Sequence, residues 1–214
     1  MHPFRHATFH ASAARIGDLP PPDRPEVAFA GRSNAGKSSA INTLVRRTRL
    51  AFVSKTPGRT QMINFFRVPA GGYLVDLPGY GHAEVPEPER VRWRSLLEHY
   101  LLQRPTLVGL ILIMDARRPM TELDRRMIDW FTPTRQPIHV LLTKSDKLGR
   151  GESTRMLAQA RHELSRLAPA ASVQLFSSAC GRGVEEAEAR IRRWFECASE
   201  QKEKPPTKGE KAGG

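Results

Sequence analysis

Apolar residues come in short runs separated by amphipathic stretches, and this alternation predicts strands and helices in turn. Val27-Ala28-Phe29-Ala30 has the length and continuity of a buried strand, and Ile41, Leu44 and Val45 follow at helical spacing. Met62 to Val68 and Tyr73-Leu74-Val75-Asp76 flank the turn Pro69-Ala70-Gly71-Gly72 and predict a hairpin. Val85 to Arg104 opens with prolines and then turns helical, with Trp93, Leu97, Tyr100 and Leu101 on one face. Leu107 to Met114 is almost wholly apolar, as a strand covered on both faces reads, and it ends at Asp115. Thr121 is the expected N-cap of a helix running to Phe131. Ile138 to Leu142 is the next strand, with His139 expected as a hydrogen-bonded core or edge residue. Leu157, Ala160, Leu164 and Leu167 mark a helix, Val173 to Phe176 the last strand, and Val184, Ala187, Ile191 and Trp194 the last helix.

Strands alternating with helices predict an α/β domain with a mostly parallel sheet, helices on both faces, and one antiparallel strand from the hairpin. Its expected span is 24–197. Residues 1–23 hold His2, Arg5, His6, His10 and Arg15 and then Pro20-Pro21-Pro22. A basic, partly ordered lead-in is expected there rather than a metal site, because no carboxylate or cysteine stands among the histidines. Residues 198–214 turn to Lys, Glu, Pro and Gly and are expected to be a disordered tail.

The net charge of the 214 residues is +12. Such an excess argues for a polyanionic partner, nucleic acid before an acidic membrane surface. Cys180 and Cys197 form neither a metal spacing nor a disulfide framework, which fits a reducing compartment. No apolar run approaches the roughly 20 residues of a membrane span. No signal-peptide core stands at the N-terminus. The expectation is a cytoplasmic protein, with nothing that demands a dimer.

Candidate chemistry lies in the loops after the strands, where open α/β sheets bind ligands. Gly31-Arg32-Ser33-Asn34-Ala35-Gly36-Lys37-Ser38 reads G-x-x-x-x-G-K-S between a strand and a helix, the pattern of a phosphate-binding loop. Lys37 is expected on the β- and γ-phosphates and Ser38 on Mg²⁺. Asp76-Leu77-Pro78-Gly79 reads D-x-x-G at a strand end. Asp76 can hold Mg²⁺ through a water. The Gly79 N–H can meet the γ-phosphate. Thr60, in the polar segment Ser54 to Gln61, can add a hydroxyl to Mg²⁺, which would order that segment only while the γ-phosphate is present. Thr143-Lys144-Ser145-Asp146 selects the base: Asp146 can accept two hydrogen bonds from the N1–H and N2–H₂ edge of guanine, which adenine cannot supply. The Lys144 stem can cover the base. Backbone N–H groups at Ser178 and Ala179 can reach guanine O6.

The order of these motifs resembles the translation-factor class of P-loop GTPases, with a Ras-like G domain. Gly31 to Ser39, Thr56-Pro57-Gly58-Arg59-Thr60-Gln61 with Asn64-Phe65, Asp76-Leu77-Pro78-Gly79-Tyr80-Gly81, Thr143 to Asp146 and Phe176-Ser177-Ser178 resemble the EngB family, also called the YihA or YsxC type. The resemblance covers about residues 24–197. It implies a cytoplasmic GTPase of large ribosomal subunit assembly that contacts the subunit or its precursor and ribosomal RNA, with a link to cell division and septation. It implies guanine-nucleotide contacts from Gly31 to Ser38, Gly58 to Met62 (Gly58, Arg59, Thr60, Gln61, Met62), Asp76 to Gly79, Thr143 to Asp146 and Phe176 to Ser178, and Mg²⁺ on Ser38 and Thr60. Thr143 replaces the Asn of most GTPases, and loss of that amide is expected to loosen the grip on nucleotide. His82 stands where the family is expected to carry an aromatic residue.

Lys37, Thr60 and Gly79 are the expected catalytic contacts. Tyr80 takes the place of the water-orienting Gln of many GTPases, so slow intrinsic hydrolysis is expected. Three routes to activation stay open: a K⁺ ion held with the help of Asn34, a group from a ribosomal partner, and His82 as base. Arg90, Arg92, Arg94, Arg117, Arg118, Arg125 and Arg126 are read as an RNA-facing surface. A division-machinery GTPase without RNA, and a P-loop phosphotransferase, are the competing readings.

Overall fold

In the computed structural model, which describes residues 4–51, 62–80 and 87–203, the apolar segment Glu26–Gly31 forms strand β2, buried at all six positions. Around it stand β1 (Thr8–Ala13), β3 (Ile63–Arg67), β4 (Tyr73–Asp76), β5 (Leu107–Asp115), β6 (Ile138–Thr143) and β7 (Ser172–Leu175). They make one seven-stranded sheet in the order β1-β3-β4-β2-β5-β6-β7. The pairs β2–β4, β2–β5, β5–β6 and β6–β7 are parallel. Only β3 runs against its neighbours β1 and β4, as the hairpin predicts. Register pairs Phe29 with Asp76, Gly31 with Ile113, and Asp115 with Thr143, so the motif-bearing loops all leave the same edge of the sheet.

Side chains alternate across the strands and build two cores. On one face Val27, Phe29, Ile111 and Ile113 pack against α1 (Lys37–Leu44) and α5 (Val184–Glu203), with Ile41, Leu44, Ile191 and Phe195. On the other, Ala28, Ala30, Leu112 and Met114 meet α2 (Glu87–Gln103), α3 (Glu122–Phe131) and α4 (Arg150–Leu167), with Leu97, Tyr100, Ile128, Phe131 and Leu164. Among the described residues no helix is long and apolar enough to cross a membrane.

Both ends of the expected domain extend further than the composition suggests. Within the expected lead-in, Phe4 is fully buried and stands edge-on to Phe195, ring centroids 6.4 Å apart. Burying such a side chain is worth about 1.5–3 kcal/mol. Arg47 donates to the Ala7 carbonyl at 2.9 Å, and β1 extends the sheet beyond β3 with a bulge between Phe9 and Ala11. His10 lies on the Tyr73 ring, centroids 4.9 Å apart. At the other end α5 runs to Glu203, six residues into the expected tail.

The amino ends of the strands hold a buried ion cluster. The Glu26 carboxylate accepts hydrogen bonds from Arg104 (2.7 and 3.0 Å), Tyr100 (2.9 Å) and Thr106 (2.8 Å). Arg104 also donates to the Pro20 carbonyl at 2.8 Å. These bonds tie the last turn of α2 to the start of β2, at the pole opposite the motif loops.

Candidate functional site

The phosphate loop turns from β2 into α1 through Gly36, the N-cap, at φ +101°. That conformation suits glycine, and a Cβ there would also come 3.3 Å from the Thr143 hydroxyl. Asn34 takes φ +61° and is exposed. α1 therefore begins with its unpaired N–H groups behind the loop, an arrangement that favours an anion. Lys37 and Ser38 occupy its first turn. The Lys37 ammonium bonds the Asp76 carboxylate at the end of β4. Both side chains are nearly buried, at 11% and 8% exposure.

The D-x-x-G segment folds across the phosphate loop. Tyr80 N–H donates to the Gly31 carbonyl, and Ser33 N–H to the Tyr80 carbonyl, each at 3.3 Å. The Tyr80 side chain turns away into the core, where its hydroxyl donates to Asp124 of α3 at 2.9 Å. Burial, with the Asp124 charge beside it, pushes this phenol far above its ordinary pKa. Tyr80 thus presents no side chain to the phosphate side of the loop.

The base-reading loop is stapled to the phosphate loop. The Thr143 hydroxyl bonds the Ala35 carbonyl and stands 3.0 Å from the Met114 carbonyl. The expected loosening by Thr143 is thus met by a hydroxyl that reaches the phosphate loop itself. Lys144, at φ +57°, donates to the Asn34 carbonyl (2.6 Å) and to Asp115 (3.0 Å). Arg117 donates to both Asp115 oxygens, at 2.6 Å to the one that Lys144 bonds and at 2.9 Å to the other. Burial works against the Asp115 charge, but the Arg117 and Lys144 hydrogen bonds override it and hold the carboxyl well below the usual range.

Asp146 is exposed and fixed from behind. The Ser177 hydroxyl donates to its carboxylate at 2.5 Å and accepts from the Ala179 and Cys180 N–H groups at 3.2 and 3.3 Å. The Ser177 bond leads the causes that hold the Asp146 carboxyl below its ordinary pKa. Ser145 donates both N–H and hydroxyl to the Phe176 carbonyl, at 3.2 and 2.9 Å. Ala179, expected to offer its N–H to guanine, spends it on Ser177, while Ser178 is exposed.

The structure therefore gathers Gly31 to Ser38, Asp76 to Gly79, Thr143 to Asp146 and Phe176 to Ser178 at one edge of the sheet. Met62, partly exposed, precedes β3. Gly58, Arg59, Thr60, Gln61 and His82 lie outside the described residues. Ser38 and Asp76 offer Mg²⁺ a hydroxyl and a carboxylate, hard oxygen donors of the kind it takes. Of the arginines read as an RNA surface, Arg117 is tied to Asp115, Arg125 to Glu163 and Arg126 to Glu122, whereas Arg92 and Arg94 are exposed on α2. Asp115 and Asp124 were missed as candidates. The spacing Thr121-x-x-Asp124 marks a helix cap, which the structure contains, but says nothing of Tyr80.

Residues 26–144 match the family model described as 50S ribosome-binding GTPase. A GTP-binding protein EngB of Aromatoleum aromaticum is 60% identical over 95% of this chain and 94% of its own length. Another, of Azoarcus sp. (strain BH72), is 59% identical over 94% and 97%. Among solved structures, a GTP-binding protein engB superposes with a TM-score of 0.62 at 23% identity, covering 80% of this chain and 98% of that one. Era in complex with MgGDPNP and nucleotides 1506–1542 of 16S ribosomal RNA gives 0.63 at 19%, covering 80% and 56%. Those two likenesses show the fold alone. With the sequence relatives and the site geometry, the chain belongs to the EngB family of GTP-binding proteins, P-loop GTPases.

Proposed function

We propose that this chain is a cytoplasmic Mg²⁺-dependent GTP hydrolase that acts as a switch in assembly of the large ribosomal subunit, with the family's link to division and septation. The observation that carries the nucleotide reading is the staple: Thr143 and Lys144 bond the Ala35 and Asn34 carbonyls, so the base-reading loop sits at a fixed distance from the phosphate loop. One ligand spanning both must carry phosphates at one end and a ring with adjacent donors at the other.

In this reading Gly31 to Ser38 cradle the phosphates with backbone N–H groups. Lys37 leaves Asp76 for the β- and γ-phosphates, as a lysine exchanging one anion for another. Ser38 and Thr60 would hold Mg²⁺ directly, and Asp76 would hold it through a water. When bound, the ion neutralises charge on the phosphate oxygens. Gly58 to Met62 add nucleotide contacts, and the Gly79 N–H meets the γ-phosphate. Asp146 accepts from guanine N1 and N2, Lys144 lies along the base, and the Ser178 N–H meets O6.

Tyr80 is committed to the core, so intrinsic hydrolysis is slow and another group completes the site. A K⁺ ion near the exposed Asn34, a group from the ribosomal partner, and His82, which lies outside the described residues, are the three candidates. Turnover equal in Na⁺ and K⁺ would remove the first. Net charge of +12 and a family model described as ribosome-binding support the large subunit and its RNA as partner, bound by a monomer. Cosedimentation with large subunits should weaken steeply with salt.

Fluorescent GDP and ADP test the nucleotide reading. GDP should bind far more tightly, and Asp146→Asn should lose GDP and gain xanthosine diphosphate. Equal binding of ADP would end the guanine assignment.

A further inference from the structure

Asp124 is a fully buried carboxylate in the first turn of α3. One oxygen accepts the N–H and hydroxyl of Thr121, at 2.9 and 2.7 Å. The other accepts the Tyr80 hydroxyl at 2.9 Å and faces Arg32 Nε at 3.3 Å. Arg32 also donates to the Arg118 carbonyl at 3.3 Å. A side chain of the phosphate loop, the residue after D-x-x-G and the cap of α3 thus converge on one carboxylate. Two backbone bonds run alongside, Tyr80 N–H to Gly31 and Ser33 N–H to Tyr80. Gly79 lies beneath this strap, where a Cβ would come 3.5 Å from Ser33 N.

We propose that Asp124 is a positioning residue for the γ-phosphate contact: by holding Tyr80 in the core it pins Gly79 against the phosphate loop before GTP arrives. The proposal rests on the guanine-nucleotide reading above and adds the residue that favours GTP over GDP. Only GTP carries the group that Gly79 would meet, so the benefit of this pre-organisation falls on GTP alone. A buried carboxylate oxygen that loses its O–H donor is left with only Arg32 Nε facing it, at 3.3 Å, which favours the closed latch.

Tyr80→Phe tests it, since the ring and its packing stay and only the donor is lost. Amide exchange of Ser33 and Tyr80 in the nucleotide-free protein should quicken about tenfold, the low end for a hydrogen bond to a charged group. Affinity for a non-hydrolysable GTP analogue should fall about fivefold, with GDP within about twofold of wild type. Asp124→Asn should lower the same ratio, and the double variant should fall by less than the product of the two, because both act through one bond. Unchanged exchange at Ser33 and Tyr80, or an equal loss of GDP and GTP analogue, would overturn the proposal in favour of a purely structural role. If Asp124→Asn does not fold, Tyr80→Phe alone decides. Failure of wild type to prefer GDP over ADP sinks the nucleotide reading, and the exchange measurement still decides the latch.

Discussion

Two pairs of opposite charge lie buried at the two ends of β2, and they are built differently. At the amino end Glu26 is enclosed by Arg104, Tyr100 and Thr106, while Arg104 also caps the Pro20 carbonyl. Every partner there belongs to the fold. At the carboxyl end Lys37 meets Asp76 beside the phosphate loop, where the proposed cycle draws the lysine to phosphate and the carboxylate to Mg²⁺. The first pair is closed, and in the proposed cycle the second is a resting contact whose members have other work. Charge burial alone does not tell them apart, because both pairs are nearly inaccessible. The number of fixed donors around each carboxylate does.

Removing one partner of the closed pair should give the largest effect. Arg104→Ala leaves the Glu26 carboxylate buried without its cation, at a cost of about 3–5 kcal/mol. Urea unfolding checks it, and a loss below about 1 kcal/mol would mean that Tyr100 and Thr106 suffice to hold the charge. The folded fraction should bind GDP as wild type does, since the cluster lies at the far pole.

A neutral polar site sharpens the contrast by titration. His139 on β6 is bonded at 2.7 Å by Ser172 on one nitrogen and Gln174 on the other. Gln174 continues to the Gly183 carbonyl at 2.7 Å, so the chain of bonds reaches the turn before α5. Burial is the main cause that pushes the His139 pKa down to about 4. Unfolding restores an ordinary imidazole near 6.5, so below that pH the unfolded chain takes up the proton first. Stability should hold above pH 6.5 and fall between 6.5 and 4, by up to about 3 kcal/mol from this group. Wild type minus His139→Gln isolates it from the carboxylates, and a pH-independent difference would refute the assignment.

Breaking the exchangeable pair should move function more than stability. Lys37→Ala should weaken GDP by about 1.5–3 kcal/mol, the worth of a hydrogen bond to a charged group. Its cost in unfolding free energy should stay well below that of Arg104→Ala. If instead the two variants lost equal stability and Lys37→Ala kept its GDP affinity, the Lys37–Asp76 contact would be structural.

What the chain reveals before folding follows the same division. The phosphate loop, D-x-x-G and Thr143 to Asp146 were legible because phosphate and guanine demand set residue types at set spacing. The parallel sheet was legible from apolar runs such as Leu107 to Met114. β1 was not, because an edge strand with Thr8, Phe9 and His10 exposed carries no apolar alternation. Glu26 drew no reading from the sequence, because its partners stand 74 to 80 positions away. The ion pairs within the basic surface were hidden in part for a related reason. Arg126 pairs with Glu122 four residues back, which spacing could show, but Arg125 and Glu163 meet only across α3 and α4.

The smallest effect concerns the base-reading end. Ser177 stands among the expected nucleotide contacts, and its hydroxyl fixes the Asp146 carboxylate and helps keep it ionised. Asp146 must carry its charge to accept two bonds from guanine. Ser177→Ala removes the donor and lets the carboxyl rise towards its ordinary range. GDP affinity near neutral pH should fall about fivefold, through lost orientation alone, since Asp146 stays ionised there. On the acid side the variant should lose GDP at a higher pH than wild type, because its carboxylate protonates sooner. Titrating GDP affinity from pH 7 to about pH 3, through the ordinary carboxyl range, separates the two contributions. A parallel drop at every pH would leave orientation as the whole role of Ser177, and an unshifted affinity would show that the ligand itself holds Asp146 in place.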